Sequence, residues 1–227
     1  MAEKGRKIVL DTETTGLSAF HGHRLIEVAC VEIIDGELTG NHYHTYINPK
    51  RDVPKDAYEI HGIATEFLYD KPVFPKIADD FLSFIGTSEL VIHNAPFDMG
   101  FLNHELSLVG HNHIPMNRVI DTLQLARKLF PGAPASLDAL CERFNISLSK
   151  RHKHGALIDA ELLAIVYLYM RASRQGKLTF SGEKKIVRQA RPARSFPATA
   201  AELEDHKKLL KKISNPLWLT DKAKTGQ

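Results

Sequence analysis

Two acids, two residues apart, follow an apolar run near the start of the chain. In KIVLDTETTGL (7–17), Ile8, Val9 and Leu10 lead into Asp11 and Glu13. Successive side chains of an extended strand alternate faces, so Asp11 and Glu13 project to the same side. Two carboxylates aimed at one point raise a pKa or demand a cation, and a hard divalent metal is the simplest remedy. A lone Asp-x-Glu also occurs by chance at a frayed strand end, so the reading depends on further acids. Asp98, in HNAPFD (93–98), stands at the start of a helix that follows a strand. There a single acid can equally act as a helix N-terminal charge, worth about 0.3–1 kcal/mol. HKHGALIDAELL (152–163) adds His154 and Asp159, five apart. On one continuous helix that spacing is about 500°, or roughly 140° off a common face. Gly155 resolves the mismatch by letting His154 sit on a flexible approach while Asp159 projects from the helix proper.

The segments around these residues predict the frame that must hold them. A first strand runs over 7–11, and 24–47 reads as a hairpin about an Asp35-Gly36 turn. Residues 76–86 have helical spacing, and 89–106 read as a strand, an Asn94-Ala95-Pro96 turn and a helix with Pro96 in its first turn. A short strand passes into a helix over 118–130, and further helices follow at 136–146 and 156–171, the last strongly apolar. Strands in a meander, then strands alternating with helices, predict an α/β fold with a mixed sheet and helices on its faces. In open α/β sheets ligands collect beyond the carboxyl ends of the strands, which is where Asp11, Glu13 and Asp98 fall.

Composition narrows the class. The chain has 227 residues, 43% apolar and 25% charged, which predicts a globular body of ordinary size. No stretch approaches the ~20 apolar residues of a membrane span, and no apolar signal core opens the chain, so a soluble cytoplasmic protein with no membrane partner is expected. Cys30 and Cys141 lie in apolar contexts and read as buried thiols, which excludes a disulfide framework. The net charge of +3 conceals an asymmetry: residues 171–227 hold 14 Lys/Arg against 5 Asp/Glu, and the remainder 16 against 22. A basic tail on an acidic body suits nucleic acid or an acidic protein surface, and equally a solvated solubilising tail.

DTETTG (11–16), HNAPFD (93–98) and HGALID (154–159), in that order and spacing, resemble the three motifs of the 3′→5′ exonucleases with four acids and a histidine. The likeness covers residues 7 to about 170. Position 155 is Gly, where the Tyr-containing branch would carry tyrosine. Further stretches, including SLDALC (136–141) and IVRQA (186–190), are similar to the proofreading subunits of bacterial replicative polymerases. The resemblance implies a ribonuclease H-like mixed five-stranded sheet flanked by helices, with a flexible C-terminal tail. It implies a 3′→5′ DNA exonuclease that proofreads and releases nucleoside 5′-monophosphates. Phosphodiester hydrolysis needs a hydroxide, a stabilised pentacovalent transition state and a stabilised leaving oxygen, and two divalent ions can serve all three. Oxygen-rich ligands suit Mg²⁺ or Mn²⁺.

By resemblance Asp11 bridges both ions, Glu13 and Asp159 complete the site of the attacking water, and Asp98 acts mainly through water at the second ion. His154 is the general base, a task suited to an imidazole, whose ordinary pKa is near 6.5. The turn Thr12, Thr14, Thr15, Gly16, Leu17 places the substrate, with backbone N–H groups reaching the terminal nucleotide and Leu17 wedging its base. Asp56 and His61, in DAYEIHGI (56–63), match positions that contact that nucleotide. The family commonly has Glu at the first of these, and a loop cap for Asp56 or a solvated His61 is the plain alternative.

The expected division is an exonuclease domain at 1–174, a linker at 175–198 and a polymerase-binding segment at 199–227. In QGKLTF (175–180), Gln175, Leu178 and Phe180 resemble a sliding-clamp-binding motif. Thr199 and Glu202 have capping-box spacing ahead of Leu203, Leu210 and Ile213, and Trp218 is the one tryptophan of the chain. Implied partners are DNA 3′ ends, single-stranded or frayed, and the polymerase catalytic subunit, with a sliding clamp and a small accessory subunit beyond these. Two rivals stand beside this reading: an RNA-trimming exonuclease with the same acids, and a catalytically silent scaffold joining polymerase to clamp.

Overall fold

The computed structural model describes residues 5–149, 153–174 and 198–213. Five strands form one mixed sheet, β1 (Arg6–Thr14), β2 (Leu25–Ile34), β3 (Glu37–Tyr46), β4 (Glu89–Ile92) and β5 (Val119–Asp121), in the order β3-β2-β1-β4-β5. β1 is antiparallel to β2 and parallel to β4, so it occupies the centre of the sheet. The two-residue turn between β2 and β3 has positive φ at both Asp35 and Gly36, 52° and 92°. That backbone matches the right-handed twist of the flanking strands and explains the Asp-Gly choice.

Both faces of the sheet are covered, which is why β1 and β2 read as apolar runs and not as clean alternation. Ile8 and Leu10 pack with Phe74, Phe81 and Leu102, from α3 (Phe74–Ile85) and α4 (Ala95–Leu108). The alternate residue Val9 packs with Ala160, Leu163 and Tyr167 of α7 (Ala156–Arg174). On that second face lie also α5 (Thr122–Leu129), through Ala126, and α6 (Leu137–Arg143), through Leu140. Cys30 and Cys141 are both buried free thiols, as expected.

Two differences from the sequence reading concern the site. β1 continues to Thr14 because Asp11, Thr12 and Glu13 stay in register with Ala29, Val28 and Glu27 of β2, so the acids stand inside the strand and not past its end. Residues 55–68, for which no helix was expected, form α1 (Lys55–His61) and α2 (Thr65–Leu68). Their N-cap residues are Pro54 and Ala64, neither of which offers a capping side chain, so the usual start signal is missing.

The chain divides into two compact units, Met1–Thr179 and Phe180–Gln227. In the second, α8 (Ala200–Leu210) opens on a complete capping box: Glu202 N–H donates to Thr199 Oγ1, and Thr199 N–H to Glu202 Oε2 at 2.8 Å. Leu203 and Ile213 are about half exposed and Leu210 is partly buried. Gln175, Leu178, Phe180 and Trp218 lie outside the described residues. Among the described residues no helix is long and apolar enough to cross a membrane.

Candidate active site

Strand alternation sends Asp11 and Glu13 to the sheet face that carries Val9 and receives α7. Asp159, in the first turn of α7, meets them there. Thr12 points the opposite way and donates its hydroxyl to Asp98 Oδ1 at 2.7 Å, which fastens the first turn of α4 to β1. α4 can start so close to the strand because Asn94 takes a left-handed backbone, φ 62°, which Asn tolerates better than most residues. Burial pushes the Asp11 carboxyl well above the usual range, and the charges of Asp98, Glu13, Asp159 and Glu27 push it further. Burial also raises Asp98, with the Thr12 hydroxyl pulling the other way. Asp11 and Asp98 thus sit in a low-dielectric corner with Glu13 and Asp159 beside them, an arrangement that a cation would stabilise.

His154 precedes α7, held by its backbone N–H to the Ile60 carbonyl at 3.4 Å. Its Nδ1 lies 3.1 Å from Asp159 Oδ2. One ligand atom each from Glu13, His154 and Asp159 falls within 4.8 Å of the others. The separation over Gly155 that the sequence suggested is what the backbone does: Gly155 carbonyl accepts the Asp159 N–H at 3.0 Å, so the helix begins between the two residues. A donor set dominated by carboxylate oxygens fits a hard divalent ion.

Beside the acids opens a pocket of about 610 Å³, walled by Thr14, Asp56, Ile60, His61 and Phe97 with Leu17 at its rim. Leu17 is 84% exposed, a position from which it can meet a base. Asp56 is exposed in the first turn of α1. His61 is buried rather than solvated: its Nδ1 accepts the N–H of Ile63 at 3.0 Å, and burial lowers its pKa. The ring is therefore neutral with its proton on Nε2, which lies against the backbone of Thr14 without a well-formed hydrogen bond. The expectation that backbone N–H groups of 12–17 reach the nucleotide needs correction at Thr15, whose N–H donates to the Arg24 carbonyl at 2.9 Å. Gly16 packs closely on His23: a Cβ there would stand 2.3 Å from the ring, so a side chain would displace it.

Sequence reasoning missed Glu27. It is buried, stands opposite Glu13 in the β1/β2 register, and accepts the N–H of Ala156 at 3.1 Å. The available signal was an acid inside the uninterrupted apolar run of a strand covered on both faces, where no solvent can receive it.

The exonuclease family model matches residues 8–167. The DNA polymerase III subunit epsilon of Rickettsia typhi (strain ATCC VR-144 / Wilmington) is 49% identical, with 92% of this chain and 96% of that protein covered. The subunit of the same name from Escherichia coli (strain K12) is 45% identical, with 94% and 97% covered. Among solved structures, exonuclease X in complex with 5′ overhanging duplex DNA superposes with a TM-score of 0.57 at 28% identity, covering 75% of this chain and 93% of that one. The nuclease domain of 3′hExo, a DEDDh family member bound to rAMP, shares the fold with a TM-score of 0.62 at 18% identity, covering 78% and 96%. With its acids so placed and its likeness running almost end to end, the chain belongs to the family of DNA polymerase III epsilon subunits.

Proposed function

We propose that the chain proofreads for a replicative DNA polymerase, hydrolysing mispaired nucleotides from the primer 3′ end and releasing nucleoside 5′-monophosphates. The observation that carries this is the convergence of Asp11, Glu13, Asp98 and Asp159 in one buried corner, with His154 in contact with Asp159. Exonucleases of this fold depend on divalent metal, and the carboxylate set fits one. Asp11, Glu13, Asp98 and Asp159 would hold two divalent ions, Mg²⁺ or Mn²⁺. When bound, such ions acidify water and neutralise charge at the leaving oxygen.

The remaining work belongs to the side chains. Thr12 holds Asp98 toward Asp11, so that α4 and β1 present their acids together. With its proton on Nδ1 and directed at Asp159 Oδ2, His154 presents Nε2 as the acceptor for the proton of the attacking water. Leu17, Ile60 and Phe97 offer apolar surface to the terminal base, and Asp56 and His61 supply polar contacts at the same pocket. DNA and the polymerase catalytic subunit are its partners; a sliding clamp and a small accessory subunit are added as proposals, with the cytoplasm as the place of action.

The deciding experiment compares mispaired and paired primer ends in DNA and RNA versions with Mg²⁺ or Mn²⁺ present. Faster release from mispaired DNA ends is expected. Preference for RNA ends would move the assignment to RNA trimming, and absence of hydrolysis would favour the scaffold role.

A further inference from the structure

Glu27 stands outside the four-acid set, yet its carboxylate is tied on two sides. It is 2% exposed, and its Oε1 lies 2.7 Å from His44 Nε2. Its Oε2 accepts the Ala156 N–H. In the β1/β2 register Glu27 faces Glu13, so both side chains leave the sheet on the face that α7 covers.

The helix α7 has a particular need at its start. Gly155, the residue before it, has no side chain to cap the free amides of the first turn, and Ala156 is wholly buried, out of reach of water. Glu27, from β2, supplies the missing acceptor, and its negative charge suits the positive end of a 19-residue helix. Asp159 follows Ala156 by three residues and His154 precedes it by two. Both reacting groups are thus carried on the turn that Glu27 holds, and a displacement of about 1 Å in such a group can cost roughly 10²-fold in rate.

We propose that Glu27 is a positioning residue: by accepting the Ala156 N–H it docks the first turn of α7 on β2 and fixes Asp159 and His154 against Glu13. The inference rests on the assignment of those three groups to the hydrolytic site. Outer-shell partners of this kind typically account for about 10–100-fold in activity.

The test uses the full chain with Glu27→Ala and Glu27→Gln, the latter keeping a carbonyl oxygen for Ala156. Steady-state kinetics on single-stranded DNA are paired with hydrogen exchange at the Ala156 amide, which reports docking whether or not the protein is active. Glu27→Ala should lose about 10–100-fold in kcat with KM changed by less than about threefold, and its Ala156 amide should exchange faster. Glu27→Gln should restore the protection and most of the rate. A Glu27→Ala protein within about threefold of the wild-type rate, or with unchanged Ala156 protection, would overturn the proposal, as would a loss confined to KM. Should Glu27→Ala fail to fold, Glu27→Gln alone decides: protection of Ala156 with a rate within about fivefold of wild type supports the proposal, and a folded protein with the amide unprotected overturns it. Failure of the site assignment itself would show separately, as an active Asp11→Ala protein.

Discussion

At the scale of single residues, Asp11 carries the electrostatic signature of the site: burial raises its pKa, and the charges of Asp98, Glu13 and Asp159 raise it further. Replacing Asp11 with Ala should abolish hydrolysis and leave the far-ultraviolet circular dichroism unchanged, because it deletes a ligand while relieving repulsion. Wild-type rates in that variant would remove the site from β1. The same fact predicts a dependence of stability on pH. An acid whose folded pKa is raised above its unfolded value of about 3.9 holds more protons folded than unfolded, so stability falls as pH rises from about 4 through the folded pKa. In chelator, Asp11→Asn should therefore melt above wild type at pH 7, with the gap closing toward pH 4; a gap independent of pH would contradict the reading. His154→Ala should lower the rate by roughly 10²–10⁴, the range for a missing general base, and a loss under about threefold would make His154 a bystander. The shared face of Asp11 and Glu13 was legible in the sequence from the period of two, whereas Asp98, which alone reads as a helix N-terminal charge, and Asp159 joined them through the resemblance of their motifs. Glu27 and the buried state of His61 were not legible, since each depends on what packs over it from another element.

At the scale of elements, the sheet and most helices followed from patterning, whereas α1 and α2 did not, because neither start carries a capping side chain. What a period cannot show is how elements are fastened across the core. Arg24, just before β2, donates Nε and Nη2 to the two carboxylate oxygens of Glu105 on α4, both at 2.6 Å, while Glu105 itself is 1% exposed. Arg24 N–H also donates to Thr15 Oγ1 at 3.0 Å, so the same residue braces the rim of the nucleotide pocket. Truncating Arg24 would strand a buried carboxylate, a loss of roughly 3–5 kcal/mol for a buried pair, reduced toward the lower end by the partial exposure of the Arg24 side chain. Arg24→Ala should show this as a lower urea midpoint at unchanged slope, and Arg24→Lys should recover only part because a point charge cannot replace the two-pronged contact. An unfolding free energy within about 0.5 kcal/mol of wild type would show that the pair contributes little.

At the scale of the whole molecule, the distribution of charge separates an acidic body that carries the site from a basic tail, to which the proposed function gives the contacts with partners. The body carries the acids and pocket, all before residue 160, while the surplus of basic residues falls after 170. The helix α8 is capped well enough to form locally, yet it leaves Leu203, Leu209 and Ile213 about half exposed, a distribution suited to a partner's groove. Trp218 follows within a few residues in sequence, and tryptophan is a favoured interface anchor. The residues proposed for the site all precede residue 160, so a protein ending at Arg174 should keep its single-strand nuclease rate and lose association with the polymerase catalytic subunit. Changing Gln175, Leu178 and Phe180 together to Ala should instead weaken binding to a sliding clamp and leave polymerase binding alone, because the two contacts occupy different stretches of sequence. Surface plasmon resonance against each partner separates the cases: retention of the polymerase subunit by the shortened chain at full-length strength would refute the role given to 199–227. Clamp affinity unchanged in the triple variant would likewise refute the role given to 175–180.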